Sequence, residues 1–178
     1  MPDHEVKKLF IASSATRKGL AEAFARELQD QAGIYDIALE ISLWYREAVP
    51  GEDILTALTD HCRGNPDAGI EPSDFFAAFL TDDDLRDKGG AGGARASAPS
   101  DNVVFELGFF LGGLGFDLRR CFMLCAVPAA ALPSDLAGRT YIPFEFPKGK
   151  SPNDYDKVAQ PLASTVIRRI AALKGVRK

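Results

Sequence analysis

Every position from Val103 to Gly115 is a large apolar residue or glycine, except Glu106. The surrounding stretch reads PSDNVVFELGFFLGGLG, residues 99–115. Read as a helix it has Ser100 or Asp101 for an N-cap, with Pro99 just outside. Its apolar residues cover nearly every face, which is the pattern of a buried helix. Asn102 and Glu106, four apart, share the single polar stripe. A buried carboxylate is costly unless paired, and burial raises its pKa. Glu106 is therefore either a structurally satisfied carboxylate or a working group in a cleft.

Other residues with chemistry to offer lie in two clusters. Ser13, Ser14 and Arg17 come after an apolar run near the start. Hydroxyls and backbone N–H groups at the beginning of a helix suit phosphate or ribose oxygens, and they equally serve as ordinary caps. Asp82, Asp83 and Asp84 come after a second apolar run, either as a solvated turn or with Asp82 pointing into a crevice. No P-loop or dinucleotide glycine fingerprint is present, which argues against a hydride-transfer site. Cys62, Cys121 and Cys125 have no zinc spacing and read as reduced core thiols, and His4 and His61 stand apart from them. No metal site is expected.

The elements that must position these groups are set by periodicity. Val6–Ala12, Ile37–Leu43, Asp74–Thr81, Cys121–Val127 and a short run within Tyr141–Phe146 read as strands. Helices are expected from Gly19 to Gly33, from Asp53 to Cys62, over the Glu106 segment, and from Asp154 to Leu173. The loop WYREAVPGED (44–53) carries a Pro-Gly turn, and the glycine-, alanine- and serine-rich stretch 87–98 reads as a mobile loop. Gly108, Gly112 and Gly115 fall on one helical face, where another backbone is expected to approach, within the fold or across subunits. Strands alternating with helices predict a flavodoxin-like five-stranded parallel sheet of order 2-1-3-4-5, with helices on both faces. Ligands of such sheets sit at the carboxyl ends of strands 1 and 3, where the order reverses. Ser13, Ser14 and Arg17, the aspartate triplet and the Glu106 helix should meet there.

The 178 residues suit one domain, with a core expected over about 5–173. A net charge of −4 argues against a nucleic-acid polymer as partner. No apolar run approaches the roughly 18 residues of a membrane helix, and no signal peptide is visible. A cytoplasmic protein is expected.

Four segments carry a family resemblance: FIASSATRKGLAEAF (10–24), FLTDDD (79–84), PSDNVVFELGFFLGGLG (99–115) and LPSDLAGRTYIPF (132–144). Over about residues 5–146 the chain resembles the TIR-like domains of bacterial anti-phage systems, with DNVVFELG (101–108) as the most specific match. In those systems such domains are fused to cyclic-nucleotide sensors of the STING or SAVED kind. The resemblance implies cleavage of NAD+ to nicotinamide and an ADP-ribose product. NAD+ is then a substrate, with no further cofactor, and Glu106 is the essential glutamate. It also implies activation by TIR–TIR self-association and a sensor domain beyond this chain, which would make the chain a piece of a longer effector. The animal relatives place an aromatic residue four positions before the glutamate. Asn102 stands there in this sequence, so a stacking role falls to Trp44 or Tyr45. Two other readings stand beside this one: a nucleoside deoxyribosyltransferase-like enzyme, and a non-catalytic TIR adaptor.

Overall fold

The structure, a computed structural model, describes residues 6–47, 54–87, 95–126, 132–137, 139–146 and 153–173. The apolar runs become the strands β1 (Lys7–Ala12), β2 (Leu39–Leu43), β3 (Phe75–Leu80), β6 (Cys121–Cys125) and β7 (Ile142–Pro143). They form one five-stranded sheet of order β2-β1-β3-β6-β7, and every pairing in it is parallel. Counted along the chain, that is the expected 2-1-3-4-5. β3 and β6 are buried at every position, as strands covered on both faces must be.

Alternation along the strands feeds two separate cores. Leu9 and Ile11 of β1 face α1 (Lys18–Ala32) and the closing helix α6 (Asn153–Ala172). There Leu20, Phe24 and Leu28 of α1 meet Leu162, Val166 and Ile170 of α6. Phe10 and Ala12 point the other way, toward α3 (Ile54–Arg63) and α4 (Asp101–Gly113). Phe110 of α4 stacks on Phe76 at 4.3 Å and on Phe10 at 5.0 Å between ring centroids. This aromatic stack seats α4 across β1 and β3, and so sets where Glu106 lies.

Several local expectations change. Trp44–Glu47 forms a short helix, α2, directly after β2, so the 44–53 loop begins helically; residues 48–53 lie outside the described residues. Asp84–Asp87 (β4) pairs antiparallel with Arg95–Ala98 (β5), forming a two-stranded ribbon. Both ends of the stretch expected to be a mobile loop over 87–98 are thus hydrogen-bonded strand. The glycine-rich centre, 88–94, lies outside the described residues. A further short helix, α5 (Ser134–Ala137), precedes β7.

The glycines of α4 also behave differently from expectation. A Cβ at Gly108 or Gly112 would meet nothing within 4 Å, so neither marks a close approach inside the described fold. The tight position is Gly113, where a Cβ would fall 2.0 Å from Cys62 Sγ on α3. Gly115 lies past the helix end at φ +64°, a left-handed conformation that glycine adopts without steric cost. No helix among the described residues is long and apolar enough to cross a membrane.

Candidate active site

β1 ends at Ala12, and the chain leaves the sheet through Ser13 and Ser14, both buried. A single 3-10 turn, Ala15–Arg17, then leads into α1. β3 ends at Leu80 next door, and buried Thr81 opens the acidic segment. The sheet order reverses between these two strands, so their carboxyl ends diverge and leave a crevice. A cavity of about 240 Å³ occupies it. Ser13, Ser14 and Thr16 line one side, with Asp83 and Asp84 beside them. Trp44 and Ile54 come from the edge, and Ser100, Asn102 and Glu106 from the start of α4.

Glu106 is 4% exposed. Its Oε2 has no hydrogen-bond partner among the described residues. Burial pushes its carboxyl up to about 7. Asn102, one turn earlier, lines the same cavity, as the shared polar stripe predicts. Val103, Leu107 and Phe110 of the same helix are buried in the core on the sheet side. Ser100 is the N-cap residue of α4 by backbone position, but its side chain caps no N–H.

Asp83 organises the floor. Its side chain is 5% exposed. Its Oδ1 accepts hydrogen bonds from Thr16 Oγ1 and from Arg17 Nε, both at 2.9 Å. Thr81 Oγ1 donates to its other oxygen. Thr16 Oγ1 in turn lies 3.0 Å from Ser14 Oγ. Three residues of the β1 exit are thereby referenced to the end of β3. On the far wall Trp44 Nε1 donates to Ser13 Oγ at 3.3 Å.

Of the residues singled out in the sequence, Ser13, Ser14, Trp44, Asn102 and Glu106 meet at this one cavity. Arg17 and Asp82 are not among its lining residues. Arg17 is engaged instead, with Nη2 2.8 Å from Asp82 Oδ1, Nε on Asp83, and the guanidinium 4.5 Å from the centre of the Phe146 ring. The Asp82 side chain is half exposed, and Asp83 takes the inward position expected for it. The chain bends at Asp82, where Asp83 N–H donates back to Thr81 O at 2.9 Å, and this turn leaves Asp82 half exposed and Asp83 buried. Among the other polar lining residues, Asp83 and Asp84 belong to the triplet expected at this crevice, Ser100 is expected only as a cap, and Thr16 is not singled out in the sequence. The triplet marked the place of the two aspartates, whereas nothing in the sequence marks Thr16.

A parallel α/β sheet of order 2-1-3-4-5, with a carboxylate-bearing helix over its switch point, defines a flavodoxin-like fold of the TIR-like kind. The chain belongs to the family described as "CAP12/Pycsar effector protein, TIR domain", whose model matches residues 8–146, so it is a TIR-like domain of the anti-phage effector class. It is 36% identical over 104 residues to the Pycsar effector protein BcPycTIR of Burkholderia cepacia, covering 58% of this chain and 32% of that protein. It is 38% identical over 93 residues to the Pycsar effector protein XpPycTIR of Xanthomonas perforans, covering 50% and 28% respectively. CD-NTase-associated protein 12 of Sphingobacterium faecium is 32% identical over 96 residues, covering 54% and 28%. The matched stretches thus span under a third of the length of each of these relatives.

Proposed function

We propose that this domain cleaves the nicotinamide–ribose bond of NAD+, as the effector part of a longer anti-phage protein. The observation that carries the reading is Glu106, a buried carboxylate with one oxygen unpartnered among the described residues, at the wall of the switch-point cavity. A position of that kind is costly for the fold and therefore suggests a use.

The chemistry suits a single carboxylate. Nicotinamide leaves as a neutral molecule, taking the bonding electron pair of the C–N bond with it. The ribose is left with oxocarbenium character, as in glycoside cleavage. An ionised Glu106 stabilises that charge and holds ribose hydroxyls. Water then adds to the anomeric carbon and loses a proton, giving ADP-ribose. The leaving group is already cationic in NAD+, so no general acid is needed, in keeping with one glutamate rather than an acid–base pair. Ser13, Ser14 and Asn102 supply hydrogen bonds to ribose and carboxamide, and Trp44 supplies the apolar wall. Arg17 and Asp82 act indirectly, by holding the loop that presents the serines.

In the whole protein the domain is switched on when a cyclic-nucleotide sensor gathers copies of it, through TIR–TIR contacts. The family match supports this reading, and the relatives are named as Pycsar effector proteins and a CD-NTase-associated protein.

The test is product chromatography after incubating the domain with NAD+ under crowding, at several enzyme concentrations. The expected result is nicotinamide and an ADP-ribose product, with specific activity rising with concentration and lost in Glu106→Gln. Release of free base from deoxynucleosides, with NAD+ untouched, would overturn the reading in favour of a deoxyribosyltransferase-like enzyme. Inertness toward both, at high concentration, would leave the domain a scaffold.

A further inference from the structure

The cavity at the switch point has an electrostatic mismatch with a dinucleotide. Its lining carries three carboxylates, Asp83, Asp84 and Glu106, and no lysine or arginine among the described residues. Its volume of about 240 Å³ falls below the ~300 Å³ at which small-molecule sites usually begin. That suits the cationic nicotinamide–ribose half of NAD+ and leaves the doubly charged pyrophosphate outside. The nearest cation by sequence, Arg17, is already neutralised by Asp82 and Asp83.

Lys18 is different. It is exposed, at the first turn of α1, with its ammonium 5.8 Å from the centre of the Trp44 ring and 4.8 Å from that of Tyr45. No carboxylate among the described residues pairs with it within salt-bridge distance. Trp44 is a wall of the cavity. Tyr45 donates to Glu22 at 2.8 Å, and Glu22 lines a second groove, of about 320 Å³, between α1 and the edge strand β2. A cation resting on two aromatic faces keeps most of its charge available for a phosphate. Trp44 links the cavity and the cation, because it lines the cavity and carries the Lys18 ammonium over its ring.

We propose that Lys18 is the phosphate-binding residue of this site, and that it makes the domain select pyrophosphate-bearing nicotinamide nucleotides over the uncharged-tail riboside. This rests on the cavity being the nicotinamide–ribose site. The aromatic pair holds the ammonium at the cavity mouth. The pyrophosphate receives one charge-assisted contact there, and the adenosine half runs on toward the β2-edge groove.

The chain contains a single tryptophan, so intrinsic fluorescence reports on Trp44 alone. NAD+ and nicotinamide riboside are titrated separately into the wild-type chain, Lys18→Met and Lys18→Arg, with the signal taken in the first seconds after mixing, before turnover. Methionine keeps the apolar stem and removes the charge. The expected result is an NAD+ Kd about tenfold weaker in Lys18→Met. The riboside Kd should stay unchanged, and the arginine variant should restore NAD+ binding. Added salt should weaken NAD+ binding in the wild type and have less effect in Lys18→Met. An NAD+ Kd that ignores Lys18, or a parallel loss of both ligands, overturns the assignment. If neither ligand perturbs wild-type Trp44, the nicotinamide–ribose cavity itself is wrong, and Lys18 falls with it. Riboside quenching with Lys18-insensitive NAD+ binding overturns the phosphate assignment alone.

Discussion

Asp83 accepts a hydrogen bond from Thr16 Oγ1 at 2.9 Å, joining two residues that lie 67 positions apart in the chain. Through this contact and that from Arg17 Nε, the end of β3 holds the exit of β1 in place. The serines of the cavity stand on that joint.

Asp83→Asn therefore costs more than its conservative chemistry suggests. The amide offers one acceptor where the carboxylate serves three donors, and it turns an NH2 group toward Thr or Arg donors. Breaking a buried charged network of this kind is expected to cost on the order of 2 kcal/mol or more. Asp82→Asn, on a half-exposed partner of the same arginine, is expected to cost less than about 1 kcal/mol. Urea unfolding of the two variants side by side checks the ranking. Equal losses would show that Asp83 is not the hub.

Glu106→Gln keeps shape and removes charge. Nicotinamide release is expected to fall about 10² to 10³-fold, with the far-UV spectrum unchanged. Ionised Glu106 is the active form in the proposed chemistry, and burial pushes its carboxyl up to about 7. The kcat/KM of the wild type should thus rise through pH 7 to a plateau, falling about tenfold per pH unit well below it. A profile flat from pH 5 to 8 would remove Glu106 from the chemistry.

The same burial predicts a stability signature with a definite sign. The folded state binds the Glu106 proton more tightly than the unfolded chain does, because the carboxyl is raised from 4.5 to about 7. The stabilisation is fully present below pH 4.5 and is lost as pH rises through 7, by on the order of 3 kcal/mol. Glu106→Gln cannot titrate. Its stability relative to wild type should therefore increase between pH 5 and pH 8, measured by urea denaturation at each pH. The comparison cancels every other titrating group. A difference independent of pH contradicts the assigned shift.

The helix glycines predict opposite responses. Gly113→Ala drives a methyl into Cys62 Sγ, 2.0 Å from the ideal Cβ, and is expected to destabilise by about 1–3 kcal/mol. Gly108→Ala meets open space among the described residues and is expected to stabilise by up to about 1 kcal/mol. For a domain of this size, each kcal/mol moves Tm by about 2–4 °C, so calorimetry separates the two. A cost at Gly108 as large as that at Gly113 would contradict the packing described.

The sequence by itself determined the sheet and which segments line the switch-point cavity. Runs such as FFAAFL and CFMLC are too apolar for anything but strands buried on both faces, and their alternation with helices leaves few topologies open. A single carboxylate in an apolar helix is equally legible, because burial of charge is a local anomaly that needs no partner to be noticed. Ser13, Ser14, Trp44 and Asn102 reach the cavity because chain order alone sets which residues come just after a strand or at the start of a helix. Only the tertiary structure decided the rest. Choosing Asp83 over Asp82 depends on which way one residue turns after β3, and two of its three donors come from 66 and 67 positions away. Pairing Asp84–Asp87 with Arg95–Ala98 rests on backbone hydrogen bonds, which composition rich in glycine, alanine and serine does not signal. The tight glycine is Gly113 rather than Gly108 or Gly112 because α3 brings Cys62 to that point alone. Periodicity assigns a residue to a face of its own element; the neighbour opposite that face is fixed by long-range packing.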